Sequence, residues 1–261
     1  VNLDYARSLT RHEGDGTAYR IEVQGLLGGH SGERIGAGRG NAIRTLALAL
    51  CRIHEQGRIT LADFHGGVAR NAIPSTSYAV TAMNERELVD ILVEEEKRFH
   101  SIYGAADPGM KFALTPVQNA GKAIGGQEMH DLLALLTVLR TGVYEMSRLH
   151  PGLVETSANL GLVEMDEYEV RAAYFPRSSV NEQLSEIIMT ARAVSELTGF
   201  NLVIGTQSPA WRENAESELA KIMGVVYADQ NGGKAMTIES IHAGLETSWH
   251  AAKNPALDMV S

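Results

Sequence analysis

From Tyr19 to Leu27 the chain reads Tyr-Arg-Ile-Glu-Val-Gln-Gly-Leu-Leu, with apolar and polar residues alternating as in a strand that has one wet face. A glycine-dense stretch, Gly28 to Gly40, follows. From Asn41 the period lengthens: Ile43, Leu46, Ala47, Leu50 and Ile53 recur at three and four residues, the stripe of a helix lying on a sheet. Arg58 to Phe64 and Thr76 to Met83 predict two further strands. Asn84 with Glu87 predicts an N-cap and its reciprocal partner, opening a helix whose apolar face is Leu88, Ile91, Leu92 and Phe99. Met110 to Val117 returns to a strand. The order strand, helix, strand, strand, helix, strand is the split arrangement of a ferredoxin-like unit.

The pattern then partly repeats. Gln127 to Leu139 predicts a helix, and Asn159 to Asp166 with Glu167 to Phe175 predicts a hairpin. Ser179 with Glu182 predicts a capping box before a helix that runs to Leu197, and Asn201 to Gln207 predicts a strand. The expected fold class is therefore α+β, two ferredoxin-like halves sharing one extended antiparallel sheet. Beyond Pro209-Ala210-Trp211 the character changes. Glu213 to Tyr227 predicts a helix, Ala235 to Ile238 a short strand, His242 to His250 a turn and helix, and Leu257 to Val260 a strand. Such alternation predicts a piece of an α/β domain whose partner strands are not in the chain.

Composition narrows the function classes. With 44% apolar and 21% charged residues over 261 positions, the chain has the makings of folded domains with a real core. No apolar run approaches the roughly 18 to 20 residues of a membrane span. A net charge of -9 repels phosphate backbones, so nucleic acid is not an expected partner. The lone Cys51 lies in an apolar helical stripe and reads as core filler. It forms no internal disulfide, which with the absence of a secretory signal predicts a reducing, cytoplasmic location.

The densest chemical signal is Gly25-Leu26-Leu27-Gly28-Gly29-His30-Ser31-Gly32. Four glycines leave room for backbone to approach a ligand and place an imidazole without neighbouring bulk. Composition alone allows either a solvated histidine on a mobile loop or a donor aimed at a developing oxyanion or a carboxylate. Ser31 lacks the Gly-x-Ser-x-Gly elbow of a nucleophile. Gly36-Ala37-Gly38-Arg39-Gly40 has the wrong glycine spacing for a dinucleotide loop and follows no strand. Arg70-Asn71-Ala72-Ile73-Pro74 sets an amide in a proline-stiffened loop, either an ordinary turn or a donor to a carbonyl. Arg177, at the end of a strand, has the fork that grips a carboxylate bidentately, or is simply solubilising. His242 and Glu246 share a helical face without forming His-Glu-x-x-His.

Taken together, Gly28-Gly29-His30-Ser31-Gly32, Gly38-Arg39-Gly40-Asn41-Ala42, Arg70-Asn71-Ala72-Ile73-Pro74, Thr156-Ser157-Ala158-Asn159-Leu160-Gly161, Arg177-Ser178 and Ile241-His242-Ala243-Gly244-Leu245-Glu246 resemble the aminoacyl-histidine dipeptidase family of dinuclear zinc peptidases. The resemblance covers the chain from about Ala18 onward. It implies a lid or dimerisation domain over residues 14–210, a remnant of the catalytic domain and linker over 1–13, and part of the α/β catalytic domain over 211–261. It also implies Xaa-His dipeptide hydrolysis with two zinc ions that activate a water and polarise the carbonyl. His30 would stabilise the oxyanion, Asn71 and Arg177 would hold the dipeptide, and backbone at Gly244 would line its pocket. The expected partners are a dipeptide substrate and a second copy through the lid, with no nucleic acid and no membrane.

Asn2-Leu3-Asp4 resembles the motif that supplies one zinc-binding carboxylate, which makes Asp4 the candidate metal ligand. The family's other ligands and its catalytic Glu have no counterpart in this sequence, and one carboxylate does not hold two zinc ions. The expectation is that this polypeptide by itself hydrolyses nothing. The competing reading is a non-catalytic dimerisation or ligand-binding module that has lost the metal centre.

Overall fold

The computed structural model describes every residue except 15–16, 57–58, 83–84, 119, 149–150, 210–213, 215, 238–245 and 261; for 85–87 it describes the backbone alone. The first half is built from β3 (Ala18–Gln24), α1 (Ala42–Gln56), β5 (Thr60–Gly66), β7 (Ser77–Ala82), α2 (Glu85–Tyr103) and β8 (Lys111–Val117), where β1 (Leu3–Ser8) and β2 (His12–Glu13) precede it. The two-residue strands β4 (Gly29–His30) and β6 (Ala72–Ile73) lie in its connections. After β9 (Lys122–Ala123), the second half comprises α3 (Gly126–Val138), β10 (Gly142–Met146), β11 (Val154–Met165), β12 (Glu169–Ser178), α4 (Asn181–Thr198) and β13 (Asn201–Ile204). Helices α5 (Glu218–Gln230) and α6 (Thr247–Lys253) close the chain.

The large sheet runs β13-β1-β12-β11-β5-β7-β3-β8, with β10 paired to β11. This order contains the same unit twice. In the first half the spatial order β8-β3-β7-β5 is fourth, first, third, second. In the other half β13-β1-β12-β11 is again fourth, first, third, second, provided β1 is counted as that unit's first strand. Each is a ferredoxin-like unit, and they meet edge to edge where Val163 of β11 pairs with Gly66 of β5. Residues 3–8, read from the sequence as part of a catalytic remnant, hydrogen-bond along β12 on one side and β13 on the other. The first unit is thus inserted between the first strand and the first helix of the second. Its two ends are drawn together by the small ribbon β2–β9, where His12 faces Ala123 and Glu13 faces Lys122.

The four long helices cover one face of the sheet, with α1 beside α3 at the centre and α2 and α4 outside them. The α1 stripe explains why: Ile43, Leu46, Leu50 and Ile53 are fully buried, and a helix with one apolar side has to lay that side on the sheet. A single cluster of buried side chains, including Tyr5, Ile21, Phe64, Leu132, Leu160 and Val163, runs across both units. Arg44 of α1 donates to the carbonyl of Thr137 in the last turn of α3, satisfying a carbonyl that the helix leaves open. Cys51 packs half-buried against this core.

Three local expectations are revised. No side chain caps α4: Val180 stands at its N-cap, and the nearby Ser178 hydroxyl instead accepts from the Val180 N–H at 2.9 Å. The expected strand over Leu257–Val260 is not formed, and neither is one over 235–237. The last segment instead turns back, and Asp258 accepts from the Leu219 N–H at 2.9 Å at the start of α5. Helix α5 has no buried residue. The cap expected at Asn84 and Glu87 lies outside what is described.

Candidate functional site

The glycine-dense loop after β3 does not float. Its residues Gly29 and His30 form β4, which pairs antiparallel with β6, setting His30 opposite Ala72 and Gly29 opposite Ile73. The Ser31 N–H donates to the Asn71 carbonyl at 2.8 Å, and Arg34 N–H closes a turn onto the His30 carbonyl at 2.8 Å. The Arg39 guanidinium reaches back across the loop to the Gly28 carbonyl. The two motifs most suggestive in sequence, around His30 and Asn71, are therefore one two-stranded ribbon. The Asn71 side chain stands exposed at its turn. The imidazole is a little over one third exposed, with the Glu33 carboxylate 3.8 Å from Nδ1. That Nδ1 is buried and has no hydrogen-bond partner among the described residues.

The ribbon is fastened to the sheet by a residue whose role the sequence did not disclose. Asn159 on β11 is buried, and its carboxamide donates to the carbonyls of Arg70 at 3.0 Å and Ala72 at 2.7 Å. Asn41, the N-cap of α1, accepts from Arg44 N–H at 3.2 Å while donating to the Leu160 carbonyl at 2.9 Å. The motifs Arg39-Gly40-Asn41 and Ser157-Ala158-Asn159-Leu160-Gly161 are thus internal scaffolding for the ribbon. The glycines of this joint allow backbone contact: a Cβ on Gly161 would lie 2.4 Å from the Arg70 carbonyl oxygen, and one on Gly67, whose φ is +77°, would lie 1.9 Å from the Gly161 carbonyl oxygen.

Arg177 sits near the end of β12, opposite Ser157 of β11 and so two positions along β11 from Asn159. Its guanidinium lies over the Phe175 ring, 4.5 Å from the centroid. Burial pulls its pKa below the ordinary arginine value, and Nε is buried without a hydrogen-bond partner among the described residues. A partly desolvated cation of this kind favours an arriving anion. His30 and Asn71 are in contact through the ribbon, and Arg177 is linked to them through β11.

Asp4 is elsewhere. On β1 it faces Ala173 and Val203, and its carboxylate accepts from the Arg70 guanidinium, an ion pair with both partners more than one third exposed. Among the described residues no group of three or more His, Cys, Asp or Glu side chains gathers to hold a metal. Gly244 and His242 lie outside the described residues. No described helix is long and apolar enough to cross a membrane.

Comparison with known proteins adds to this geometry. The peptidase dimerisation domain profile matches residues 21–102, the stretch that runs from β3 to the end of α2. The cytosol non-specific dipeptidase of Escherichia coli (strain K12) is 29% identical over 247 residues, 93% of this chain and 50% of that protein. The crystal structure of aminoacylhistidine dipeptidase from Vibrio alginolyticus superposes over 99% of this chain with a TM-score of 0.88 and 27% identity. The chain is thus similar over nearly its whole length to dipeptidases, one of them an aminoacylhistidine dipeptidase. It spans about half the length of these relatives, 50% of one and 54% of the other. The dimerisation-domain profile lies within the first of the two ferredoxin-like units, and the second unit repeats that fold beyond the profile's reach.

Proposed function

We propose that this chain is the substrate-closing part of a metal-dependent dipeptidase of the Xaa-His type, acting in the cytoplasm. The observation that carries the reading is the ribbon presenting His30 beside Asn71, buttressed through β11 next to a desolvated Arg177 that has no carboxylate partner among the described residues. The names and whole-chain likeness of the two dipeptidase relatives support peptide hydrolysis as the setting. In this reading Arg177 holds the peptide carboxylate and Asn71 donates to the backbone of the dipeptide. The His30 imidazole donates to the oxygen that gains charge as the scissile bond breaks, where a well-placed donor contributes roughly 10²- to 10³-fold in turnover. Backbone at Gly244 lines the pocket.

The proposed metal is zinc, with Asp4 as its candidate ligand. The residues of this chain do not by themselves fit a zinc pair: the Asp4 carboxylate faces Arg70, and no ligand group gathers among the described residues. The chain alone is accordingly inactive. Residues 14–210 are read as the lid and 211–261 as catalytic domain; within 1–13, β1 acts in this chain as part of the lid sheet. Homodimerisation is proposed through the lid, supported by the dimerisation-domain profile.

The engaged Asp4 also favours a second reading, a binding module without metal. The two separate in experiment. In the complete enzyme, His30→Ala should lower kcat for a Xaa-His dipeptide at least about 100-fold with metal content unchanged; undiminished hydrolysis would overturn the role of His30. Zinc-dependent cleavage by the 261-residue chain itself would contradict its inactivity.

A further inference from the structure

One buried carboxylate has no part in the reading above. Asp107, wholly inaccessible, lies in the turn after α2, where its own N–H donates to the Tyr103 carbonyl at 2.8 Å. Its two carboxylate oxygens point to different places. Oδ1 accepts from the Leu27 N–H at 2.7 Å, and Oδ2 accepts from the Gly40 N–H at 2.6 Å. Leu27 is where the chain leaves β3 for the His30 loop, and Gly40 is where it returns to α1. Both are backbone donors from outside any regular element, so a single anion satisfies both ends of the loop at once. The contact is tight on the α2 side as well: a Cβ on Gly40 would lie 2.6 Å from two ring atoms of Phe99, so a larger residue there would have to push the buried ring aside.

We propose that Asp107 is a positioning residue for His30, a carboxylate clasp that fixes the width of the loop's mouth and so the place at which the imidazole is presented. Between the clasped ends the loop is further held by the β4–β6 ribbon, by the Arg39 contact and by Ile35, which packs with Ile73 and Val154. Releasing either end lets the mouth of the loop widen and shifts the β4 side of the ribbon, while β6 stays fastened to β11 through Asn159 and the sheet beneath is undisturbed. The clasp gives its significance to the proposed role of His30 and rests on that reading, but it is measurable without it.

The test is hydrogen exchange and side-chain NMR on the 261-residue chain. Asp107→Asn keeps the shape and one acceptor oxygen, but turns an amide NH₂ toward the other N–H. A lost charge-assisted bond of roughly 1.5 to 3 kcal/mol corresponds to about 10- to 150-fold faster exchange. That acceleration is expected at Leu27 or Gly40, with smaller increases at Ser31 and Arg34. Amides of β3, β7, β11 and β12 should keep their protection, and the His30 Cε1–Hε1 resonance should move toward its solvated position. Asp107→Ala, which removes both acceptors, should accelerate both amides. Unchanged exchange at both ends, or an unmoved His30 resonance, overturns the proposal. Equal loss of protection over the whole sheet also overturns it, by making Asp107 a residue of the fold and not of the loop. If the clasp is found and His30→Ala leaves turnover intact, the positioning stands and the catalytic reading fails.

Discussion

Replacing Asn159 by alanine should loosen the ribbon that carries His30, and the structure sets the size of the effect. The carboxamide is buried and spans two carbonyls, those of Arg70 and Ala72, at 3.0 and 2.7 Å. Arg70 is exposed, so its carbonyl regains water once the amide is gone, whereas Ala72 is half-buried and is left poorly satisfied. With about 0.5 to 1.5 kcal/mol for the first bond and about 1 to 3 kcal/mol for a stranded buried group at the second, Asn159→Ala should cost about 1.5 to 4.5 kcal/mol. At roughly 2 to 4 °C per kcal/mol for a domain of this size, the midpoint should fall by about 3 to 18 °C. In a urea titration followed by circular dichroism, Cm should drop with the slope unchanged. Asn159→Asp is the sharper test. It preserves volume but aims a carboxylate at two carbonyl oxygens, so it should destabilise more than alanine does. An aspartate variant as stable as the parent, or an alanine variant within about 0.5 kcal/mol of it, would refute the assignment of this amide as the fastener.

Two further outcomes follow from single contacts. Gly67→Ala meets both a positive φ and a Cβ 1.9 Å from the Gly161 carbonyl oxygen, so it should cost more than about 2 kcal/mol and separate β5 from β11; an unchanged Cm would contradict this. Burial raises the phenols of Tyr5 and Tyr174 above their ordinary value of 10, Tyr174 well above it. Both stay neutral in the folded chain while the unfolded chain ionises them. Their contribution is therefore whole below about pH 10 and is lost as pH rises toward the folded values, by up to about 1.4 kcal/mol per pH unit for each phenol. Tyr174→Phe should flatten that alkaline decline in Cm, and an equally steep decline would refute it.

The first ferredoxin-like unit was legible because its strands and helices follow one another in the chain and each carries a clean period. The second was only half legible. Its first strand, β1, precedes the entire first unit, so no local pattern ties Leu3 and Tyr5 to their partners on β12. Strand β10 went unread, its short irregular pairing with β11 broken by register shifts. The His30 and Asn71 motifs stood out because glycine and proline mark special backbone. That they form one ribbon did not, since a β4–β6 pair of two residues each leaves no periodicity. Asn159 and Asp107 were opaque for a shared reason: each bonds main-chain groups far away in sequence, and any residue supplies a main-chain carbonyl or N–H. A capping box was expected at Ser179 because the residue types fit, yet the chain leaves β12 with Val180 at the cap.

The insertion of one unit into the other has a consequence for biosynthesis. Strand β1 leaves the ribosome roughly 160 residues before β12, which at about 5 to 20 residues per second is a wait of some 10 to 30 seconds. Throughout that interval Leu3 and Tyr5, destined for burial, lack their neighbours β12 and β13, whereas the first unit is complete once β8 has emerged, about 50 residues ahead of β12. Maturation is thus sequential by design of the topology. The inserted unit folds early, and the β2–β9 neck holds the stranded segment close to where its neighbours will emerge.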